Sequence, residues 1–332
     1  MRILALKAWR DALAHKGQFL ALIVLVSLGI MSFVTFQNSY FNLERSLTRA
    51  YSQLQLPHFT VQVESARLGI SKHIDSIPGV AAARVRTVRD VGLQLDDGRQ
   101  ATVRIVSMPD DWRTKVSAVH LDAGQLPDSG RAGEVVLHPK FSIDTGIGIG
   151  DRLTLRVEGR RVPVRVAGLG VDPDNLYPLR SEGDLPSPGE FAIVYVTERE
   201  ATRLFGRADT GNDVAVLAEE GVDVSELMDR VEDELRPYGV LSSATRAQNP
   251  SYSGLQAELD QNRVMAQSVP VLVLAIGVMS IFIALSRLVQ SQRGEIGLAK
   301  ALGYGDGQIL GHYLMYGMLL AIGGSVLGIE IG

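Results

Sequence analysis

Hydrophobic positions along this chain fall into two kinds of pattern. Residues 19–38, 264–286 and 307–329 are mostly apolar and carry no charged side chain. Each is close to the roughly 20 residues that an α-helix needs to cross a hydrocarbon core about 30 Å thick. Three membrane spans are therefore expected, at residues 19–38, 264–286 and 307–330. The first could be read as a signal peptide, but its apolar run is longer than such segments use. Phe33, Phe36 and Tyr40 also stand where a small-residue cleavage site would lie. It reads as an uncleaved anchor. Pro270 is placed in the first two turns of the second span, where its missing N–H costs least.

The 225 residues from 39 to 263 are patterned as an α+β domain. Leu43, Leu47, Tyr51 and Leu54 continue the helical period of span one outward, and residues 250–263 approach span two in the same way. Strands are expected at 58–63, 85–95, 102–108, 133–137, 152–157, 162–168 and 191–196. Turns are expected at Asp96-Asp97-Gly98 and Glu158-Gly159-Arg160. Helices are expected at 68–77, ended by Pro78-Gly79, and at 224–235, capped by Asp223 or Ser225. Residues 109–213 read as one lobe inserted into another built from 57–108 and 214–249. The fold class is thus a membrane α-helical chain of three spans, with a large α+β domain between spans one and two.

Charge then orients these elements. Arg2, Lys7, Arg10 and Lys16 precede span one, and Arg287, Arg293 and Lys300 fall between spans two and three. Basic residues near span ends stay in the cytoplasm. The N-terminus and the 287–306 loop are therefore expected inside, with residues 39–263 outside. Residues 1–18 read as a cytoplasmic amphipathic helix, with Leu6, Trp9 and Leu13 toward the inner leaflet and its lipid. The net charge of −4 is concentrated in the middle domain, and no segment is basic enough to suggest nucleic acid as a partner.

Candidate chemistry is sparse. There is no cysteine, hence neither a disulfide nor a thiolate metal site. The six histidines show no metal-ligand spacing, so no metal is expected. The chain contains no GxSxG and no GxxxxGK[ST]. Asp110-Asp111 and Asp172-Pro173-Asp174 read as solvated turns. No catalytic residue is assigned, and no cofactor is expected in this chain. In the third span Gly317/Ala321 and Gly324/Gly328 have the small-xxx-small spacing that lets helices approach closely. They are the candidate helix-packing positions.

The 290–304 segment, QSQRGEIGLAKALGY, carries one strong motif. Arg293, Glu295, Ile296, Gly297, Lys300, Ala301, Leu302 and Gly303 resemble the R-x-E-I-G-x-x-K/R-A-L-G signature of FtsX-like (MacB-like) permeases of ABC transporters. Gly133-Glu134-Val135-Val136, Gly150-Asp151, the 164–168 segment and Trp9-Arg10 are weaker matches to that family. The resemblance implies that these eight loop residues form a coupling helix. Its partner would be a P-loop ABC ATPase, which binds the ATP and Mg. A second permease copy or homologue, and a periplasmic adaptor, are further implied partners. Family members have four spans or eight and more, so three spans ending at Gly332 suggest the N-terminal part of a longer permease. The implied function is transmission of ATPase-driven motion to the external domain, for export or extraction of a lipophilic, peptide or lipoprotein substrate. The alternative is a non-transporting scaffold that regulates an envelope partner such as a cell-wall hydrolase.

Overall fold

The structure, a computed structural model, describes residues 16–95, 98–181, 183–184 and 188–332. Most of the expected N-terminal interfacial helix, and Asp96 and Asp97 of one expected turn, lie outside the described residues. The elements open with α1 (Lys16–Gln53), β1 (Phe59–Arg67), α2 (Ser71–Ile74), β2 (Val80–Arg86), β3 (Val88–Gln94), β4 (Gln100–Met108) and β5 (His120–Gly124). They continue with β6 (Glu134–Leu137), α3 (Pro139–Thr145), β7 (Arg152–Val157), β8 (Arg160–Val171), β9 (Phe191–Thr197) and α4 (Glu198–Phe205). The chain ends with β10 (Thr210–Ala218), α5 (Val224–Leu235), β11 (Val240–Thr245), α6 (Pro250–Ser291), α7 (Arg293–Ala301) and α8 (Asp306–Ile331). Two compact units result: a helical one, up to Arg45 and from Glu258 onward, and an α+β one, Ser46–Ala257.

In the helical unit, α1, α6 and α8 are each long and apolar enough to cross a membrane. Val271, Leu272, Phe282, Leu310 and Met318 are all more than 60% exposed. In water such a surface would be untenable, whereas in lipid it is the ordinary outer face of a span. Pro270 differs from expectation. The helix begins at Pro250, so Pro270 sits deep in its interior and removes one backbone bond there.

Close packing in this unit depends on glycine. A Cβ on Gly324 would lie 2.6 Å from the Cβ of Val26, and one on Gly328 would lie 2.7 Å from that of Ile30. Hydrogen alone fits, so α8 lies backbone-close to α1. The other spaced pair is not in this seam. Gly317 has only Leu285 Cδ1 nearby, at 3.8 Å, and Ala321 is exposed. Spacing is shared by both pairs, but only one faces a neighbour within the chain.

The α+β unit has two lobes. The first is an antiparallel sheet in the order β11-β1-β10-β2. Phe59, Val61 and Val63 alternate inward and pack on Leu227, Val231 and Leu235 of α5, which recur every fourth residue. Asp223 caps α5, its carboxylate accepting from Ser225 and Glu226 N–H at 2.8 and 3.2 Å. The second lobe is a mixed sheet in the order β5-β8-β6-β9-β4-β3-β7, and β7 pairs again with β8. Six strands therefore close into a barrel. The 12-residue β8 makes this possible: Arg160–Arg165 pairs with β7, and beyond it Gly168–Val171 pairs with β5. Val103, Ile105, Val135, Leu155 and Val194 fill the interior, with Phe141 of α3 and Leu204 of α4 at its sides.

One lobe is inserted in the other as expected, but the boundary differs. The single strand expected at 85–95 is two strands in different sheets. The chain crosses between lobes at Thr87, so β3 and β4 belong to the barrel. Only the short polar step Arg86-Thr87 marks the crossing in the sequence, and it passes for an ordinary step within one strand.

Buried charge joins the lobes. Arg86, at the end of β2, donates Nε–H to Asp213 of β10 at 2.6 Å. Its Nη1 and Nη2 donate to both oxygens of Asp174 at 3.1 and 3.0 Å. All three side chains are 6% exposed. Asp174 also accepts from Ser117 Oγ at 2.5 Å. The expected 172–174 turn exists, but its residues are buried and its carboxylate is structural. Neighbouring Arg84 donates from Nη1 to the carbonyls of Val116 and Ser117 and from Nη2 to that of Ser107, while its Nε has no hydrogen-bond partner. Burial, then the charge of Arg86, pushes the Arg84 guanidinium down to about 10.

The carboxylates around this cluster respond in opposite directions. Burial raises Asp174, but the charge and hydrogen bonds of Arg86 outweigh that and hold it below its usual range. Asp172 has no such partner. Its Oδ1 accepts from Asn175 Nδ2 at 2.8 Å and from the Tyr195 hydroxyl at 3.1 Å, while its Oδ2 has no hydrogen-bond partner. Burial, then the nearby Asp174, pushes it up to about 7.

Three outcomes follow for stability. Arg86→Ala leaves two carboxylates buried without a cation and lowers unfolding free energy by about 3–5 kcal/mol, read from urea unfolding of the detergent-solubilised chain; an unchanged midpoint would contradict the cluster's role. Asp172 has a raised folded pKa, so its proton-linked stabilisation is complete below its usual 3.8 and lost as pH rises through about 7. Asp172→Asn should flatten the decline in stability across that window, and a decline as steep as the parent's would remove Asp172 as its source. Gly324→Ile forces α8 off α1 and should cost about 1–3 kcal/mol or more, whereas outward-facing Ala321→Ile should cost little. Equal losses in thermal unfolding would refute the seam.

Candidate functional site

The residues of the sequence motif lie on α7 and its C-terminal cap, between α6 and α8. At Gln292 the backbone leaves helical geometry, with φ −99° and ψ 19°, which separates α7 from the long helix before it. Glu295 lies in the first turn and Lys300 in the last, the arrangement that the helix dipole favours.

The far end is closed by a paired cap. Tyr304 N–H donates to Ala299 C=O at 3.1 Å, and Gly303 N–H donates to Lys300 C=O at 3.0 Å. This is the Schellman arrangement, which needs a left-handed residue between the two. Gly303 supplies it, with φ +89°. Beyond the cap, Lys300 Nζ meets Asp306 Oδ1 at 2.6 Å, and Gly305 N–H donates to Gln308 Oε1 at 3.1 Å at the start of α8. The ion pair is exposed and contributes little energy, but it ties the cap to the next helix.

Motif residues divide by face. Ile296 is half-buried and packs into a cluster with Tyr313, Tyr316, Phe19 and Leu288. The Tyr313 hydroxyl donates to Gln292 Oε1 at 2.8 Å, which fastens the α6–α7 corner to α8. Arg293, Glu295, Gly297, Lys300, Ala301, Leu302 and Gly303 are exposed. Leu302 is 71% exposed and Leu298 is 64% exposed. One helical turn apart, the two form an apolar stripe with charged neighbours. Leu298 occupies a position the motif leaves free, so motif matching passes over it; its i, i+4 spacing from Leu302 is the signal that finds it.

Nothing in this arrangement is a reaction centre. It is a rigid, capped, nine-residue helix that holds one apolar residue inward and presents two outward. Among the described residues no group of three or more His, Asp or Glu side chains could hold a metal ion.

Comparison with known proteins places these elements. The model of the MacB-like periplasmic core domain matches residues 19–234, more than half of the chain, and that of the FtsX-like permease C-terminal region matches residues 268–332. No curated protein matches. Among solved structures, the chain is similar to the periplasmic region of MacB from Actinobacillus actinomycetemcomitans, at 9% identity and TM-score 0.36, over 61% of this chain and 92% of that one. It is similar to the extracellular domain of the noncanonic ABC-type transporter YknZ from Gram-positive bacteria, at 12% identity and TM-score 0.36, over 55% of this chain and 100% of that one. It is also similar to a domain of a permease protein from Porphyromonas gingivalis, at 15% identity and TM-score 0.32, over 55% of this chain and 84% of that one. The first model ends inside α5 and the second takes in most of α6, all of α7 and α8, so the span-one anchor, the two-lobed extracytoplasmic domain and the capped helix are all accounted for: the chain belongs to the MacB/FtsX-like permease family of ABC transporters.

Proposed function

We propose that this chain is a permease subunit that receives motion from a P-loop ATPase at α7 and passes it to the extracytoplasmic domain. The observation that carries the reading is the exposed Leu298/Leu302 stripe on a helix capped at its C-terminus and held by Ile296. Exposed leucines in water are unfavourable, and each contributes about 1.5–3 kcal/mol when a partner covers it. A groove on an ATPase subunit is the partner that the family implies. ATP and Mg are bound there and not on this chain.

In this reading the N-terminus and the 287–306 loop are cytoplasmic, on the basic-residue argument. Rigidity is what makes α7 useful. Its C-terminal cap and the Tyr313–Gln292 bond at its start hold its two ends, so a push on the stripe moves the whole segment and the ends of α6 and α8 with it. Helices α1 and α6 are each continuous for 38 and 42 residues, so neither absorbs a displacement at a loop. The output is motion of the external domain, used to extract or export a lipophilic, peptide or lipoprotein substrate.

The test is co-purification from native membranes with a tag on the external domain. The parent chain should bring down a P-loop ATPase. A double variant, Leu298→Asp with Leu302→Asp, should lose at least tenfold of it while keeping the parent's thermal transition, because neither side chain packs in the core. Undiminished ATPase with the double variant would overturn the docking assignment.

A further inference from the structure

A cleft of about 410 Å³ opens within the α+β unit, between the four-stranded sheet and the barrel. Its size suits a small ligand or a ligand's head group. Its charges are unequal. Arg86 is neutralised by Asp174 and Asp213, and Arg104 donates Nε and Nη2 to Asp90 at 2.8 and 3.0 Å. Arg180 and Arg246 remain, and neither has a carboxylate partner among the described residues.

Both guanidiniums are held in place by neutral groups. Arg246 donates Nε–H to Pro57 C=O at 3.2 Å and Nη2–H to Leu56 C=O at 2.6 Å. Arg180 donates Nη2–H to Thr102 Oγ1 at 2.6 Å, and its own carbonyl accepts from Arg104 Nη2 at 3.2 Å. Arg104 and Arg180 also both lie over the Phe191 ring, 5.1 and 5.9 Å from its centroid. The forks are thus oriented before any ligand arrives, which lowers the entropic cost of binding. Gln248 and Asn249 spend their side-chain oxygens on Thr245 and Tyr252 N–H groups, leaving their amide nitrogens as donors in the cleft wall.

A half-buried cation with no carboxylate in hydrogen-bond contact is poorly compensated. Burial lowers the pKa of Arg246 against the opposing influence of Tyr252, Tyr51 and Asp174, and burial followed by the charge of Arg246 lowers that of His58. An anion entering the cleft would relieve both.

We propose that this cleft binds a phosphate group, with Arg180 and Arg246 as the two cationic contacts. Two forks from separate segments, joined by amide donors, match an acceptor with more oxygens than a carboxylate offers. The group could be free phosphate or the phosphate of a lipid head group. Binding would be felt where the two ends of the α+β unit meet, because Arg246 bonds the segment after α1 from the segment before α6.

The experiment is isothermal titration calorimetry on the full chain in dodecyl maltoside and phosphate-free buffer. One arm titrates inorganic phosphate, the other monomeric dihexanoyl phosphatidic acid. Saturable binding that weakens with added salt is expected. Arg180→Gln, at an exposed position, should weaken it about tenfold without lowering the thermal transition, and Arg246→Lys, which keeps the charge but loses the fork, should also weaken it. Comparable affinity in both arms assigns free phosphate as sufficient; tighter binding of the lipid assigns the head group. No saturable binding in either arm by folded parent protein, or parent-like binding by both variants, overturns the proposal. Neither result bears on the docking role of α7.

Discussion

The external domain depends on one buried guanidinium. Arg86 stands at the end of β2, where the chain leaves one lobe for the other, and a charge in that place must be answered on every side. Asp213 answers it from the neighbouring strand, and Asp174 answers it from the segment after β8. An apolar contact between two lobes tolerates sliding, since dispersion is nearly indifferent to direction. A planar fork gripped by two carboxylates does not, because its bonds weaken steeply with misalignment. The energetic gain over a well-packed apolar junction is small or negative. What the cluster provides is a defined junction. The neighbouring Asn212 repeats the device in neutral form, pairing with both the N–H and C=O of Val88 just past the crossing.

The same insertion brings the two ends of the α+β unit together. Because the barrel is inserted, the first and last strands of the outer lobe are free to pair, and β1 lies against β11 with Phe59 opposite Thr245. The chain therefore enters and leaves the domain side by side. Helix α1 ends and α6 begins at this place, and the rings of Tyr51 and Tyr252 meet there with centroids 5.3 Å apart. Arg246 bonds to the Leu56 and Pro57 carbonyls in the same region. The two ends of the α+β unit thus lie together in one region.

Much of this could be read in the sequence, and the failures have physical causes. The spans were legible because an uncharged run of 20 residues has few other uses. Strand β7 and helix α5 were legible to the residue, because each has one wet face and clear punctuation. Strand β10 was not found: from Asp213 to Ala218 every residue is buried, so no alternation marks it. The β2–β3 crossing was missed because Arg86-Thr87 looks like an ordinary polar step within a strand. Asp172 and Asp174 were read as a solvated turn, since local sequence does not report that Arg86, some 90 positions earlier, will be folded against them. In α8, spacing identified two small pairs equally, and only the packed structure separates Gly324/Gly328 from Gly317/Ala321. The motif on α7 was legible as a pattern, but Leu298 lay at one of its free positions.

Helix α7 poses the inverse of the Arg86 problem. There a charge is buried and the fold supplies its partners; here two leucines are exposed, and none of the described residues covers them. Lipid is a poor candidate to cover them. Nine residues extend only about 14 Å, and Arg293, Glu295 and Lys300 are spread along that length, so the helix cannot enter hydrocarbon without burying charge. Water leaves the leucines unsatisfied. A protein groove with an apolar floor and a polar rim meets both demands at once, and it does so only if the helix arrives with its shape already set. The Schellman cap at Gly303, the fastening at Gln292 and the inward anchor at Ile296 fit the docking role proposed above. The local structure is more elaborate than a turn between two spans requires, and it is the structure that a docking element needs.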